Sequence, residues 1–152
     1  MVGTADGTGV GQEVIIALWR EGYSVVLAGR HLDPLEAKVG ETKELGAEPL
    51  VVAADVRDPS SVRLLFRQAE QVFGRLDLLF NNAGTAAPST LLKDLTCDEW
   101  KLDVETNLTG TFLCTQKAFK PMQSKVPREG RIINHGSITS HSPGPNSPTS
   151  LQ

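Results

Sequence analysis

Short apolar segments alternate with helical patterns along the chain, and this alternation constrains the fold more than any other feature. Strands are predicted at residues 24–28, 49–54, 76–80 and 131–134, and helices at 12–21, 33–45, 58–73 and about 98–122. Strands that alternate with helices indicate βαβ units and a parallel sheet. Because the crossovers in such units are right-handed, helices cover both faces of the sheet. The sequence therefore predicts an α/β fold with a doubly wound parallel sheet.

Composition and charge exclude several classes of partner. The 152 residues are 39% hydrophobic, which is enough for one domain with a core, and the net charge is −3. There is no basic excess for nucleic acid, no basic amphipathic helix and no apolar run long enough to span a membrane. Cys97 and Cys114 match no metal-ligand or redox spacing. We expect no metal, no nucleic acid and no membrane partner, and a cytoplasmic protein with free thiols.

Unusual residues stand where the predicted strands end, which is where ligands bind in parallel sheets. The segment Asn81-Asn82-Ala83-Gly84 follows an apolar run, and similar positions hold Gly29-Arg30, Asp55-Val56 and Gly136-Ser137. A buried Asn needs hydrogen-bond partners, and a Gly permits a turn or the close approach of a ligand. A plain turn is the alternative interpretation. The shared position of these residues favours a nucleotide-like ligand.

A glycine-rich segment, residues 4–11, leads directly into the first predicted helix. Glycines at a helix N-terminus expose backbone N–H groups and let a pyrophosphate approach closely. A flexible N-terminal segment is the alternative interpretation, because a single glycine-rich loop is weak evidence.

These motifs together resemble the short-chain dehydrogenase/reductase family. The resemblance rests on the glycine-rich loop, the Asn-Asn-Ala-Gly segment, Asn107 in Thr-Asn-Leu-Thr-Gly and Ser137, and it extends from about Thr4 to Asn146. It implies a Rossmann-type fold and reversible carbonyl–alcohol interconversion with NAD(P) and a small carbonyl or alcohol substrate. It also implies catalytic roles for Asn107, which would organise a water in a proton relay, and Ser137, which would orient the substrate carbonyl. The implied dinucleotide-binding positions are Thr4, Gly9, Val10, Gly11, Arg30, Asp55, Val56, Asn82, Ala83 and Gly84.

The resemblance also suggests which dinucleotide is bound. Asp55 would accept a hydrogen bond from the adenine amine, although an Asp that starts a turn is the alternative. Gly29 stands where an acidic residue would bind the ribose of NAD, whereas Arg30 could pair with a 2′-phosphate. A solvated surface Arg is the alternative here. NADP is therefore favoured over NAD, while Ala5, which replaces the first Gly of the family's loop, weakens the expected phosphate binding.

The chain departs from the family pattern at both ends. The family's Tyr, thirteen residues after the Ser, would fall at Ser150, and the Lys of Tyr-x-x-x-Lys would fall beyond Gln152. Only Met1, Val2 and Gly3 precede Thr4 where the family has a full strand. We therefore expect a chain truncated at both ends, with a partial dinucleotide-binding domain at 1–141 and an irregular Pro/Ser-rich tail at 142–152.

These departures bear on activity and assembly. We expect the chain to be inactive as an enzyme, because the proton donor and its Lys are absent. The alternatives are a catalytically silent module that binds a nucleotide or a partner, and a fragment without function. Apolar residues on the predicted helix at 98–122 would face a missing neighbour, which predicts a chain that either aggregates or forms a homo-oligomer. His135, beside Ser137, is interpreted as a packed or solvated residue rather than as a base.

Overall fold

The computed structural model describes residues 1–4, 10–33, 36–37, 39, 49–85, 90–124, 126 and 129–137. Within these ranges, five parallel strands form one sheet in the order β3-β2-β1-β4-β5. The strands are β1 (Val2–Thr4), β2 (Val26–Gly29), β3 (Leu50–Ala53), β4 (Leu78–Asn81) and β5 (Arg131–Asn134). The predicted α/β fold with a parallel sheet is confirmed.

Strand β1 is short but lies at the centre of the sheet. Its first residue, Val2, is opposite Val26 of β2 on one side and Leu79 of β4 on the other. The chain runs outward from β1 to β2 and β3, and then returns to β4 and β5 on the other side. The strand order therefore reverses between β1 and β4, and a crevice opens there at the carboxyl ends of the strands.

Helices cover both faces of the sheet. They are α1 (Val10–Arg20), α2 (Pro59–Phe73), α3 (Cys97–Asp103) and α4 (Thr111–Ser124), with a π-helical segment at Val104–Gly110 between the last two. Alternate strand side chains point to opposite faces and build two cores. The core under α2 and α4 contains Val2, Val26, Val52, Leu79, Leu65 and Ala118. The core under α1 contains Met1, Leu27, Leu78, Phe80, Ile15 and Trp19.

The helix ends follow from the residues at them. Asp58 accepts the backbone N–H groups of Ser60 and Ser61 at the start of α2. Gly74 ends that helix in the left-handed region, with φ at 66°, and donates its N–H to the carbonyl of Glu70. Both ends agree with the predicted helix at 58–73.

The predicted helix at 98–122 is present but is not uniform. Thr96 caps α3, where its hydroxyl and the Glu99 carboxylate form a capping box. The wider π-helical turns then bring Gly110 against Val56, where a Cβ on Gly110 would lie 2.7 Å from the Val56 Cγ2 atom. The helix predicted at 33–45 lies mostly outside the described residues, and the tail at 142–152 lies wholly outside them.

Candidate functional site

Thr4, at the carboxyl end of β1, holds the loop that follows β4. Its hydroxyl oxygen accepts the backbone N–H groups of Asn82 and Ala83, each at 3.1 Å, and its hydrogen faces the Phe80 carbonyl at 3.5 Å. The side chain is buried, and these contacts use the one donor and two acceptor positions of a hydroxyl. Thr4 therefore shapes the predicted dinucleotide site from beneath the loop.

The glycine-rich segment and the Asn-Asn-Ala-Gly segment meet at Gly11 and Asn82. A Cβ on Gly11 would lie 2.6 Å from the Asn82 Cγ atom and closer still to its Nδ2 atom. No side chain larger than hydrogen fits between the first turn of α1 and the Asn82 amide. Gly9 lies outside the described residues, and Val10 is described only as the first residue of α1.

Asn81 ties the ends of β4 and β5 together. Its Nδ2 atom donates to the Asn134 Oδ1 atom at 2.9 Å and to the Thr115 Oγ1 atom at 3.2 Å. The side chain is buried, so these bonds satisfy the partners that the sequence required. The Asn81 amide therefore holds the ends of these two strands together at the site.

Asn107 lies in the π-helical segment and binds the chain just beyond Gly84. Its Oδ1 atom accepts the Thr85 N–H and its Nδ2 atom donates to the Thr85 carbonyl, both at 2.8 Å. The Thr111 hydroxyl also donates to the Asn107 carbonyl at 2.8 Å. The side-chain amide thus holds the loop after β4 against the helix, and the water-organising role stays a prediction.

These elements surround an open cavity of about 240 Å³ at the carboxyl edge of the sheet. The loop after β4, the π-helical segment and the end of β5 each contribute to its wall, and Ser137 directly follows this lining. The structure thus brings Asn107 and the segment before Ser137 to one place. The cavity is lined by Asn81, Asn82, Ala83, Gly84, Asn107, Leu108, Thr111, Asn134, His135 and Gly136.

A second pocket joins the ends of β2 and β3 to the same loop. Gly29 and Arg30 line one side, Asp55 and Val56 another, and Gly84 a third. Ala83 and Thr106 also belong to the lining. The residues predicted to bind adenine and ribose are therefore neighbours in space, and this pocket shares Ala83 and Gly84 with the cavity near Asn107.

The Asp55 carboxylate is paired with an arginine that the sequence reasoning missed. The Arg57 Nε atom donates to Oδ1 at 2.9 Å, its Nη2 atom to Oδ2 at 2.5 Å, and its backbone N–H to Oδ1 at 3.0 Å. These bonds, with a smaller contribution from the charge of Arg30, lower the pKa of Asp55 below its ordinary value. The Asp58 N–H also bonds the Asp55 carbonyl, so the predicted turn forms as well.

His135 also belongs to the site, although its neighbours could not be identified from the sequence. Its Nδ1 atom lies 2.9 Å from the Asn82 Oδ1 atom, and its backbone N–H donates to the Asn81 carbonyl at 2.9 Å. In the sequence, the one signal that His135 belongs to the site was its position close to Ser137. His135 is exposed, which agrees with the solvated alternative, and it also contacts the loop after β4.

Three further features bear on function. In the described part of the chain, no group of three or more His, Cys, Asp or Glu residues could hold a metal ion. None of the helices described is both long enough and apolar enough to cross a membrane. Cys97 is exposed and Cys114 is buried, and burial raises the pKa of the Cys114 thiol to about 12.

The sheet order, the crossovers and the crevice between β1 and β4 define a Rossmann-type fold. The family model for short chain dehydrogenase matches residues 1–149, and the chain belongs to this family. A 3beta-hydroxysteroid dehydrogenase of Mediterraneibacter gnavus is 32% identical over 138 residues, which are 91% of this chain and 49% of that protein. A 3-oxoacyl-acyl-carrier-protein reductase of Staphylococcus aureus is 35% identical over 89% of this chain and 54% of that protein.

Solved structures show the same architecture. A short-chain type dehydrogenase/reductase from Mycobacterium marinum has a TM-score of 0.86 and 31% identity, and covers 92% of this chain and 54% of its own. An NAD+-bound xylitol dehydrogenase has a TM-score of 0.90 and 26% identity, and covers 98% of this chain and 56% of its own. The chain thus spans about half the length of the relatives it matches.

Proposed function

We propose that the chain binds a nicotinamide dinucleotide across the crevice between β1 and β4, and that these 152 residues by themselves do not turn over a substrate. The contact between Gly11 and Asn82 is the main observation that supports dinucleotide binding. It joins the N-terminal turn of α1, a favourable place for a pyrophosphate, to the loop after β4. The NAD+-bound state of the similar xylitol dehydrogenase supports the same ligand.

NADP is the proposed dinucleotide. Gly29 and Arg30 line the pocket at the end of β2, where Gly29 offers no carboxylate to a ribose hydroxyl and the exposed Arg30 can form a charge-assisted bond with a 2′-phosphate. Asp55 lies in the same pocket, ionised beside Arg57, and can accept a hydrogen bond from the adenine amine. Val56, Ala83 and Gly84 complete the wall.

Catalysis in this family is hydride transfer between the nicotinamide and a carbonyl or alcohol carbon, with a proton exchanged at the oxygen. Ser137 is the proposed group that would orient the carbonyl, and Asn107 the proposed group that would hold the proton relay. The one tyrosine, Tyr23, lies in a cavity with Asp77, Gly130 and Arg131, at the amino ends of the strands. Because it is at the opposite edge of the sheet, Tyr23 cannot donate a proton at Ser137.

A catalytically silent module is the second candidate. The dinucleotide crevice and its supporting contacts are in place, whereas the phenol that would protonate the substrate is absent from the sequence. Such a chain would hold NADP and act through binding. Both candidate functions have the same ligand. They differ only in whether a form that carries the family's tyrosine and lysine carries out the reaction.

We also propose that the chain forms a homo-oligomer and that it is located in the cytoplasm. Leu108, Phe112 and Phe119 are at least half exposed along the π-helical segment and α4. The free thiols Cys97 and Cys114 suit a reducing compartment.

Calorimetric titration with NADP and NAD at one salt concentration tests the proposal. We expect NADP to bind about tenfold more tightly, because a charge-assisted bond contributes ~1.5–3 kcal/mol. Arg30→Ala should remove the difference, whereas Arg20→Ala, at the far end of α1, should leave it. Binding of neither dinucleotide would refute the proposal, and equal affinities would refute the NADP preference. Ketone or alcohol turnover that disappears in Ser137→Ala would refute the inactivity of the chain.

A further inference from the structure

The pocket at the ends of β2 and β3 is bounded on one side by the π-helical segment. Val56 and Thr106 are both buried and both line this pocket, Val56 from the chain after β3 and Thr106 from the π-helical segment. The small buried residues Ala28 and Ala54 belong to the same lining. The space that the pocket offers to a flat ring therefore depends on how closely the chain at Val56 approaches the π-helical segment.

Gly110 is the residue of the π-helical segment that Val56 contacts. It is buried, and it is not itself part of the pocket lining. A Cβ on Gly110 would lie 2.7 Å from the Val56 Cγ2 atom and 3.0 Å from the Val56 Cβ atom. Both distances are well inside the optimum of about 3.5–4.0 Å for two carbon atoms.

The distance to the Val56 Cβ atom shows what would have to move. Rotation of the Val56 side chain displaces Cγ2 but leaves Cβ where it is. A side chain on Gly110 would therefore push apart the backbone at Val56 and the helix that carries Thr106. Because both segments form the pocket wall, the pocket would change shape.

We propose that Gly110 is a positioning residue for the adenine end of the dinucleotide. Its missing side chain lets Val56 lie directly against the π-helical segment, and this contact sets the width of the pocket between Val56 and Thr106. The inference rests on the proposed function, since the ligand of this pocket is the adenosine half of NADP. It adds a residue that acts through Val56 and not by contact with the ligand.

Gly110→Ala tests the contact by the addition of one methyl group. The variant should bind NADP about tenfold more weakly in a calorimetric titration, because the displaced wall no longer fits the purine. Helix propensity alone favours alanine over glycine and gives no reason for a loss of affinity. Glu105→Ala is the matched control, since Glu105 is an exposed residue of the same segment, and its affinity should equal that of the wild type.

A second variant provides the rescue. Val56→Ala removes the Cγ2 atom, and the remaining carbon at 3.0 Å needs a much smaller shift to accept the new methyl group. In this background, Gly110→Ala should change the affinity for NADP by no more than about twofold. Urea unfolding establishes that each variant is folded. If Gly110→Ala alone does not fold, the double variant and Val56→Ala carry the comparison.

Half-ligands locate the effect within the site. Adenosine 2′-monophosphate should displace NADP from the wild type, and Gly110→Ala should weaken this adenosine ligand about tenfold as well. Binding of nicotinamide mononucleotide should not change, because that half does not enter the pocket beside Val56. A general loosening of the fold would weaken both half-ligands alike and would overturn the inference.

The binding results separate this inference from the proposed function. Wild-type protein that binds NADP, together with an unchanged affinity in Gly110→Ala, would overturn the inference alone. A tenfold loss that persists in the Val56→Ala background would also overturn it, because Gly110 would then act through another group. Failure of adenosine 2′-monophosphate to displace NADP from the wild type would show that the pocket does not hold the adenosine half. Wild-type protein that binds neither dinucleotide would overturn the inference together with the proposed function.

Discussion

Thr4 and Asn82 are joined by a hydrogen bond that spans 78 positions of sequence, from the end of the central strand β1 to the loop after β4. The bond is 3.1 Å long, and the neighbouring Ala83 N–H makes an equal one to the same hydroxyl oxygen. One buried side chain thus fixes the position of the loop on which the candidate site depends.

Thr4→Val should destabilise the fold by about 1–3 kcal/mol, because two partly buried backbone N–H groups lose their acceptor and an unsatisfied buried donor costs about 1–3 kcal/mol. Valine keeps the shape of the side chain, so the effect reports the hydroxyl. Urea unfolding measures the free energy, and Thr4→Ser, which keeps the hydroxyl, is the matched control. Equal stabilities of Thr4→Val and wild type would contradict the importance of this bond.

Gly11→Ala should destabilise the protein by about 1–3 kcal/mol, the usual cost of an overpacked methyl group. The new Cβ would lie 2.6 Å from the Asn82 Cγ atom, so the Asn82 side chain, the loop or the helix must shift. Thermal or urea unfolding measures the change.

Removal of the clashing side chain should rescue that variant. Gly11→Ala with Asn82→Ala should be more stable than the sum of the two single changes, because the methyl group then has room. Gly136→Ala is the control, since a Cβ there has no atom within 4 Å. Strict additivity of the two changes would show that Gly11 and Asn82 are not in contact.

The Asp55–Arg57 pair should make stability depend on pH in the acid range. The folded state lowers the pKa of Asp55 below its ordinary 3.8, so the pair stabilises the protein above about pH 4 and loses this effect as the pH falls through the lowered value. Arg57→Met should cost about 0.5–1 kcal/mol at neutral pH, the upper range for a partly exposed pair.

The pH profile distinguishes this pair from a general effect of charge. The stabilities of wild type and Arg57→Met should converge as the medium is acidified, when measured by urea unfolding from about pH 6 to pH 2. Arg75→Met, which removes the exposed pair with Asp77, should show a smaller difference. A constant gap between wild type and Arg57→Met down to the lowest pH would contradict the ionic origin of the effect.

Phe112→Glu should shift the protein from an associated form towards a monomer. Phe112 is 57% exposed and lies in sequence between the exposed Leu108 and Phe119, and a charge there cannot be buried between two copies without a partner. Sedimentation velocity over a range of concentrations measures the change. Val126→Glu is the control, because Val126 is 96% exposed and lies beyond the end of α4. A wild-type chain that is monomeric at all concentrations would contradict the proposed association.

The sequence by itself determined the order of strands and helices. The β-branched run before Gly29, the Asp58 cap and the Gly74 end are local signals, because each depends on residues a few positions apart. The ends of α2 and the bounds of β5 follow from such signals. Asn81 could be predicted to have partners, since a buried amide requires them.

Only the tertiary structure decided which distant groups meet. The contacts of Thr85 with Asn107 and of His135 with Asn82 depend on the register of parallel strands and on the wide turns before α4. Thr4 and Gly11 matched the family pattern in the sequence, but their effect on Asn82 arises because β1 lies beside β4. The periodicity of a chain determines which faces are buried, whereas hydrogen bonds between loops depend on where the folded sheet places the ends of its strands.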